Sequence, residues 1–279
     1  MSRLIQKRIG HLAVNVAVAV GAVITLVPLA WMVFSSFKTT TEIFTYPPWL
    51  MPRELSLFNY ESLLRGFPFG RWYLNSIFYC AVVTVAVPLV CSLAGYAFAK
   101  LSFRGRRGLF LLVLASIVIP FQVILIPMFI LMSQIGWVDT PYAMTIPWIA
   151  PALGIFLMRQ YSYAIPAELL EAARIDGASE FRIYWQIVLP LLKNGLAALA
   201  IIQFLSSWNS YIWPLMVLRG QESMTLPVGL AGMQAQAAGT ATPYGEMMAG
   251  ATLASLPVIV LFLIAQRYLI SGLTTGAVK

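Results

Sequence analysis

The amino-acid sequence predicts an all-α membrane protein that crosses the bilayer several times, through six transmembrane helices. Apolar residues make up 60% of the 279-residue chain and charged residues only 10%, and the mean hydropathy is +0.82. A soluble domain carries about 25% charged residues, so this composition cannot supply a surface that faces water. Several runs of about 20 apolar residues are long enough to cross a hydrocarbon layer of about 30 Å.

Six apolar segments mark the predicted spans. They cover residues 12–34, 73–99, 109–132, 142–159, 195–218 and 247–268. The first follows the basic residues Arg3, Lys7 and Arg8 but exceeds the ~7–15 apolar residues of a cleaved signal peptide, so we expect an uncleaved span. The fourth contains Pro147 and Pro151, which a transmembrane helix tolerates when neighbouring groups or water satisfy the freed backbone.

The basic residues of the loops orient the predicted spans. If both termini lie on one side, that side holds thirteen of the eighteen lysines and arginines, four of them in the short loop 100–108. Because cytoplasmic loops are enriched in Lys and Arg, we expect both termini in the cytoplasm and the chain in the cytoplasmic membrane of a bacterium or archaeon. The net charge of +8 then reflects orientation in the lipid bilayer, and we expect no nucleic-acid partner.

The ten acidic residues avoid the middle of every predicted span. Six fall on the outer side, and the other four, Glu168, Glu171, Asp176 and Glu180, share one cytoplasmic loop. Proton-coupled or ion-coupled secondary transporters usually need ionisable groups within the membrane. The distribution therefore indicates an energy source outside the membrane, with a secondary transporter or a channel as the alternative from another class.

The predicted spans lack the combinations of side chains that a metal site or an enzyme active site needs. Cys80 and Cys91 lie about 16 Å apart along a helix, which exceeds the reach of a disulfide, and His11 is the single histidine. The sequence contains no phosphate-binding loop of the Gly-x-x-x-x-Gly-Lys-Ser/Thr type. We expect no metal site, no cofactor bound by this chain and no enzymatic activity.

The cytoplasmic loop 160–194 carries a pattern of helix, glycine turn and helix. Pro166 suits the first position of a helix, and Gly177 permits the left-handed turn that ends it. Ser179 can cap the N-terminus of a second short helix, which we expect Pro190 to stop. Such a compact unit has too little apolar surface to fold alone, so the pattern predicts that it docks into a groove of a partner.

Three motifs in this loop resemble the EAA signature of the permeases of ATP-binding-cassette (ABC) importers. They are Glu171-Ala-Ala, Asp176-Gly-Ala and Ile187-Val-Leu-Pro190. The resemblance implies a type I ABC importer permease fold, whose coupling helices sit in a cleft of the ATP-binding subunit. It assigns the coupling role to Glu171, Ala172, Ala173, Asp176, Gly177, Ala178, Leu189 and Pro190. Asn194 stands where many members have a second proline, and we expect this difference to affect how the fifth span begins.

Further motifs are similar to those of carbohydrate-uptake permeases. They are 208–215 (Trp-Asn-Ser-Tyr-Ile-Trp-Pro-Leu), Asn75-Ser76 and the C-terminal 272–279. The closest resemblance is to the shorter permease of maltose-type importers. It implies a second, non-identical permease, two ATP-binding subunits that hold ATP and Mg²⁺, and an extracytoplasmic binding protein. It also implies that the outer loop 219–245 probes this binding protein and that the tail 271–279 reaches between the ATP-binding subunits.

The expected substrate is a sugar, a mono-, di- or oligosaccharide. Polar and aromatic side chains in or near the spans are candidates for a translocation path: Gln122, Gln203, Trp208, Asn209 and Tyr211. Aromatic faces can stack on the C–H groups of a sugar while amides bond its hydroxyls. Hydrogen bonds between helices are the alternative explanation for each of these residues. Glycerol 3-phosphate or a polyol remains open as the cargo.

Overall fold

A computed structural model describes residues 2–236 and 242–275, with side chains described for residues 11–235 and 242–266. Within these ranges every regular element is helical, which confirms the prediction of an all-α protein. The chain divides into two compact units. The first contains Met1–Phe69 and Leu230–Leu256, and the second contains Gly70–Gly229 and Pro257–Lys279.

The first unit begins with the long helix α1 and continues through two short helices. Their bounds are α1 Ser2–Ser35, α2 Thr40–Ile43 and α3 Phe58–Gly66. Residues 11–29 of α1 are exposed along their whole length, as expected for an apolar helix that faces lipid or another subunit. The chain after α1 is fixed to α3, because the Asn59 amide donates hydrogen bonds to the carbonyls of Ser36 (2.9 Å) and Lys38 (2.7 Å).

The second unit is organised around the long helix α4, Phe69–Lys100. Several of its large side chains are buried, including Trp72, Val83 and Tyr96. Cys80 and Cys91 are both free and buried, as their spacing predicted. Helices follow at α5 Arg106–Val118, α6 Phe121–Gln134, α7 Pro141–Thr145 with the 3-10 turn Ile146–Trp148, and α8 Ala152–Tyr163.

The remaining helices complete both units. They are α9 Ala167–Ile175, α10 Glu180–Ile183 with the π-helical turn Tyr184–Val188, α11 Leu189–Leu191, α12 Lys193–Trp208, α13 Ile212–Val217, α14 Leu226–Gln236 and α15 Tyr244–Thr275. Helix α14 lies within the range 219–245, so this predicted loop is partly helical. Residues 237–241 of the loop are outside the described part of the chain.

Sharp bends break two of the predicted spans, and a third bend lies just before the predicted fifth span. Helices α5 and α6 meet at 104°, the pair Pro141–Trp148 and Ala152–Tyr163 at 43°, and the pair Glu180–Leu191 and Lys193–Trp208 at 76°. The segment 109–132 is therefore not one continuous helix. Pro120 precedes α6, and Ile119 before it has an extended backbone (φ −75°, ψ 116°), because proline disfavours the helical conformation of the residue before it.

The described helices agree with a chain that crosses a membrane several times. The helical stretches His11–Ser35, Phe69–Lys100 and Tyr244–Gln266 are each long and apolar enough to span, and each of the three bent pairs can form one more span. Each of the six predicted segments overlaps one of these helices or bent pairs. A count of six spans and cytoplasmic termini remain predictions.

Close packing of α4 against α8 depends on Gly95. A Cβ atom at this position would lie 2.6 Å from the backbone nitrogen of Arg159 and 2.7 Å from the carbonyl carbon of Met158. We predict that Gly95→Ala destabilises the protein by about 1–3 kcal/mol, the usual cost of overpacking. Gly108→Ala is the matched control, because a Cβ there meets nothing within 4 Å and removal of a helical glycine is stabilising. Equal thermal unfolding midpoints for the two detergent-purified variants would contradict this packing argument.

Candidate functional site

The cytoplasmic segment 160–194 forms two helices joined by a glycine turn, as the sequence predicted. Helix α9 ends at Ile175, and Gly177 adopts φ 78°. The amide of Gly177 donates to the carbonyl of Arg174 and that of Ala178 to Ala173, both at 3.0 Å. These two bonds are those of a Schellman motif, which needs a left-handed residue at its centre. A Cβ at Gly177 would meet nothing within 4 Å, so backbone conformation alone favours glycine there.

Both helix starts follow the expected capping chemistry with a small shift. Pro166 is the N-cap of α9 and not its first helical residue. The hydroxyl of Ser179 accepts a hydrogen bond from the amide of Arg182 at 3.4 Å and caps α10. The sequence-based interpretation of the turn is confirmed.

The prediction that Pro190 ends the second helix is wrong. The helical backbone continues from α10 through the π-helical turn Tyr184–Val188 and α11, and the bend occurs at Leu192. Within the π turn the amide of Leu189 donates to the carbonyl of Tyr184, five residues earlier. A proline cannot donate to the preceding turn and its ring crowds the carbonyl four residues back. The wider turn before Pro190 provides the extra space.

Glu180 joins the two helices of the segment to each other and to α4. One carboxylate oxygen accepts from Nε of Arg174 at 2.7 Å, and the other accepts from the hydroxyl of Tyr96 at 2.8 Å. The Arg174 hydrogen bond lowers the pKa of Glu180, and the Tyr96 bond adds to this effect, while partial burial acts in the opposite direction. Glu180 is therefore an anion at neutral pH with both oxygens bonded.

Three polar residues on one face of α4, here called the polar stripe, form hydrogen bonds with the segment. Ser92, Tyr96 and Lys100 are four residues apart in sequence and so share one face of the helix. Ser92 Oγ lies 2.8 Å from the Tyr184 hydroxyl, and Lys100 Nζ donates to the carbonyl of Ile165 at 2.5 Å. Tyr96 and Tyr184 are each only 2% exposed. The stripe was missed in the sequence analysis, although its spacing at the end of an apolar span was a usable signal.

Away from α4 the segment presents a mixed surface to its surroundings. Glu171 is exposed, and the structure gives its carboxylate no hydrogen bond or ion pair within the described ranges. Exposed apolar side chains surround the turn, with exposures of 86% for Ile175, 66% for Phe181 and 46% for Trp185. Of the other predicted coupling residues, Ala172, Asp176, Gly177 and Pro190 are exposed, and Ala173, Ala178 and Leu189 are partly buried. Exposed apolar surface of this kind is typical of contacts with another protein or with a membrane.

A cavity of about 540 Å³ lies where α12 gives way to α13. Gln203, Asn209 and Tyr211 line it, so the structure brings together three of the five predicted path residues. Gln122 is exposed on α6, and Trp208 is buried with its ring stacked on Phe204 (5.8 Å between centroids). Neither belongs to the lining.

Aromatic side chains that the sequence analysis overlooked form the opposite part of this lining. The ring centroids of Phe121 and Trp148 are 5.2 Å apart, and those of Trp148 and Trp213 are 5.8 Å apart. The Trp213 indole donates to the carbonyl of Ala143 at 2.9 Å, whereas the Trp148 indole nitrogen has no acceptor among the described residues. The lining contains amides, hydroxyls and aromatic faces, and no charged side chain.

The Asn75-Ser76 pair and Asp139 hold the start of the range 219–245. The Asn75 amide donates to the carbonyls of Glu222 (2.7 Å) and Met224 (3.0 Å), and Ser76 Oγ accepts from the amide of Leu226. Burial acts to raise the pKa of Asp139, but hydrogen bonds led by that from Ser223 outweigh it and lower the pKa. The predicted tail 271–279 lies partly outside the described residues, which end at residue 275.

Comparison with known families identifies the class of this protein. Residues 89–275 match the family of binding-protein-dependent transport system inner membrane components. This match covers more than half of the chain, and the chain belongs to this family. It is a transmembrane permease subunit of an ABC transporter, and its homologues are not themselves enzymes.

Individual relatives resemble the chain over almost its whole length. It is 39% identical to the arabinooligosaccharides transport system permease protein AraQ of Halalkalibacterium halodurans over 265 residues, 92% of each chain. It is 32% identical to the lactose transport system permease protein LacG of Rhizobium radiobacter, with 100% of each chain covered. A crystal structure of a bacterial ABC transporter involved in the import of the acidic polysaccharide alginate contains a chain with TM-score 0.84 and 26% identity, covering 94% of this chain and 96% of that one.

The contacts of Glu180 predict a specific response to substitution. Glutamine lacks the charge that strengthens the bonds from Arg174 and Tyr96, so Glu180→Gln should loosen α10 and speed amide hydrogen exchange in residues 180–188 several-fold. Glu171→Gln is the matched control, because its carboxylate has no bonded partner in the described structure. Acidification should mimic Glu180→Gln: a lowered carboxyl pKa gives a contact that is complete above the ordinary pKa and lost as the pH falls through the lowered one. Unchanged amide hydrogen exchange in Glu180→Gln would show that Glu180 does not hold α10 in place.

Proposed function

We propose that segment 160–194 is the coupling site of an ABC importer permease, docked into an ATP-binding subunit. The observation that carries this proposal is the contrast between its two sides. One side is tied to α4 through Tyr96, Glu180 and Tyr184, and the other offers Glu171 and exposed apolar side chains to a partner. Because the segment is bonded to α4, a movement of the partner at the exposed side would move this spanning helix directly.

In this proposal, the permease crosses the membrane six times and both termini lie in the cytoplasm. The distribution of basic residues supports the orientation, since it places 160–194 on the cytoplasmic side, where ATP is available. The three long apolar helices, the first two bent pairs and α12, the apolar half of the third pair, support the count. The host membrane would be the cytoplasmic membrane of a bacterium or archaeon.

The complete importer contains a second, non-identical permease, two ATP-binding subunits and an extracytoplasmic binding protein, in this proposal. The family's description as binding-protein-dependent supports the last partner. Exposure of α1 throughout residues 11–29 supports further contacts with lipid or a neighbouring subunit. ATP and Mg²⁺ would be held by the ATP-binding subunits. The range 219–245 would meet the binding protein, from a base fixed by Asn75 and Asp139.

In this proposal, the transported substrate is a sugar. The cavity has a volume typical of small-molecule sites and combines aromatic faces with Gln203, Asn209 and hydroxyl groups. Relatives named for arabinooligosaccharides and lactose, and a similar structure named for alginate, support the substrate class. The described lining has no cation for a phosphate ester, but a relative with 31% identity is named as an sn-glycerol-3-phosphate transport system permease protein. Glycerol 3-phosphate is therefore the alternative cargo, with cations supplied by the second permease. A polyol would suit the same lining. Uptake that persists without the ATP-binding subunit would instead favour a secondary transporter or channel.

Glu171 provides the test of coupling. Removing a charge-assisted hydrogen bond to a partner costs about 1.5–3 kcal/mol. We therefore expect Glu171→Ala to reduce substrate uptake at least about tenfold while the complex still assembles. Glu168→Ala is the control, since Glu168 is equally exposed and lies one turn earlier in α9. The measurements are uptake and ATP hydrolysis in reconstituted vesicles, and wild-type uptake by Glu171→Ala would count against the coupling role.

Two glutamines allow a matched test of the cavity. Gln203 lines it and Gln122 is exposed outside it, so only Gln203→Leu removes hydrogen bonds to a sugar. One lost hydrogen bond of about 0.5–1.5 kcal/mol predicts a loss of uptake of up to about tenfold. Uptake of the cognate sugar by the two variants, at equal amounts in the membrane, measures the difference. Equal effects of the two substitutions would exclude Gln203 from the path.

A further inference from the structure

A second cavity, of about 330 Å³, lies between the first turns of α5 and the end of α8. Its lining consists of Arg106, Arg107 and Arg159 together with Phe110, Leu111 and Leu114. It shares none of these residues with the sugar cavity or the coupling segment. Three arginines therefore line one site together with an apolar helix face.

Arg159 is held in place by contacts that leave its charge unneutralised. Its guanidinium carbon lies 3.8 Å from the centroid of the Phe110 ring and 4.7 Å from that of Tyr163. Its Nε donates to the carbonyl of Phe98 at 3.3 Å. Its two Nη groups have no acceptor within the described ranges. The rings and the carbonyl fix the plane of the guanidinium while its outer donors remain available.

Arg106 and Arg107 add two further positive charges from α5. Arg106 Nη1 donates to the carbonyl of Leu101 at 2.8 Å, and Arg107 has no acceptor among the described residues. No carboxylate lines the cavity, and none of the three arginines forms an ion pair in the described part of the chain. Mutual repulsion of three close cations favours binding of an anion, and guanidinium forks match the geometry of a phosphate.

The apolar part of the lining favours an anionic lipid over a soluble anion. Leu111 follows Arg107 along α5 by about one turn and Leu114 by about two. Other side chains of α5 are apolar and exposed as well, with Leu112 68% and Val118 81% exposed. A soluble anion would use only the arginines, whereas a lipid places its phosphate at the charged end and its acyl chain along the leucines.

We propose that this cavity binds an anionic glycerophospholipid, with the headgroup phosphate between Arg106, Arg107 and Arg159 and an acyl chain against Leu111 and Leu114. The lipid neutralises the arginine cluster and fills the cleft between α5 and α8. Because Arg159 is also the residue whose backbone packs against Gly95, an occupied cleft would stabilise the contact between α4 and α8.

The test compares lipid retention by variants of the full-length chain within its purified complex. Complexes are exchanged into phosphatidylglycerol or phosphatidylcholine, and bound lipid is counted by native mass spectrometry. The wild type should retain phosphatidylglycerol in preference to phosphatidylcholine. Loss of two phosphate-facing charges in the double variant Arg106→Gln/Arg107→Gln should weaken this retention by at least about tenfold. Leu114→Trp, which fills the apolar side, should weaken it without any change of charge.

Arg104→Gln is the matched control, because Arg104 belongs to the same basic loop but does not line the cavity. Equal losses in Arg104→Gln and the double variant would show a general charge effect and overturn the site. Equal retention of the two lipids by the wild type would overturn it as well. Displacement of phosphatidylglycerol by inorganic phosphate with no effect of Leu114→Trp would reassign the site to a free anion. Unchanged lipid retention with loss of the ATP-binding subunit from the double variant would reassign it to a protein contact.

Discussion

The hydrogen bonds that α4 makes with the cytoplasmic segment are the interaction on which the rest of the architecture depends. Ser92, Tyr96 and Lys100 lie on one face at the cytoplasmic end of this helix. Because Ser92 and Tyr96 are buried, their bonds are costly to leave unmade. They convert two short helices, which could not hold a fixed position alone, into a rigid extension of a transmembrane helix.

The breaks in the helices are restricted to places where the freed backbone groups can find partners. A spanning helix satisfies all its backbone groups internally, and irregular backbone is tolerated in a membrane only where it is buried in protein or lines a cavity. The break between α12 and α13 obeys this rule, since Asn209, Ser210 and Tyr211 at the break line the 540 Å³ cavity. Asn209 also returns its side-chain amide to the carbonyl of Leu205 at 2.7 Å, which satisfies a carbonyl at the helix end. The polar cavity and the broken helix are thus one structural feature.

The sequence predicted the parts of the structure that depend on local chemistry. Hydropathy located the apolar segments, and the conformational freedom of Gly177 and the capping ability of Ser179 located the turn, because these effects act within a few residues. Pro190 shows the limit of local reasoning. Proline normally ends a helix, but the π-helical turn before it relieves the crowding and the helix continues. The bond between Tyr96 and Glu180 joins residues 84 positions apart, and no local rule predicts such a pair. The same holds for Trp148, in the 3-10 turn after α7, and Trp213 in α13, whose rings meet although 65 positions separate them.

Two carboxylates of this segment have different roles: one holds the segment together, and the other is available to a partner. Glu180 has both oxygens bonded and a lowered pKa, so it contributes to the shape of the segment and has little left to offer a partner. Glu171 lies nine residues earlier, exposed on α9, and the described structure uses neither of its oxygens. A charged group without an internal role costs nothing while it is hydrated, and it gains a strong interaction only when a partner supplies a donor. In the proposed coupling role Glu171 would meet the partner at the surface, whereas Glu180 fixes the shape of the segment beneath it.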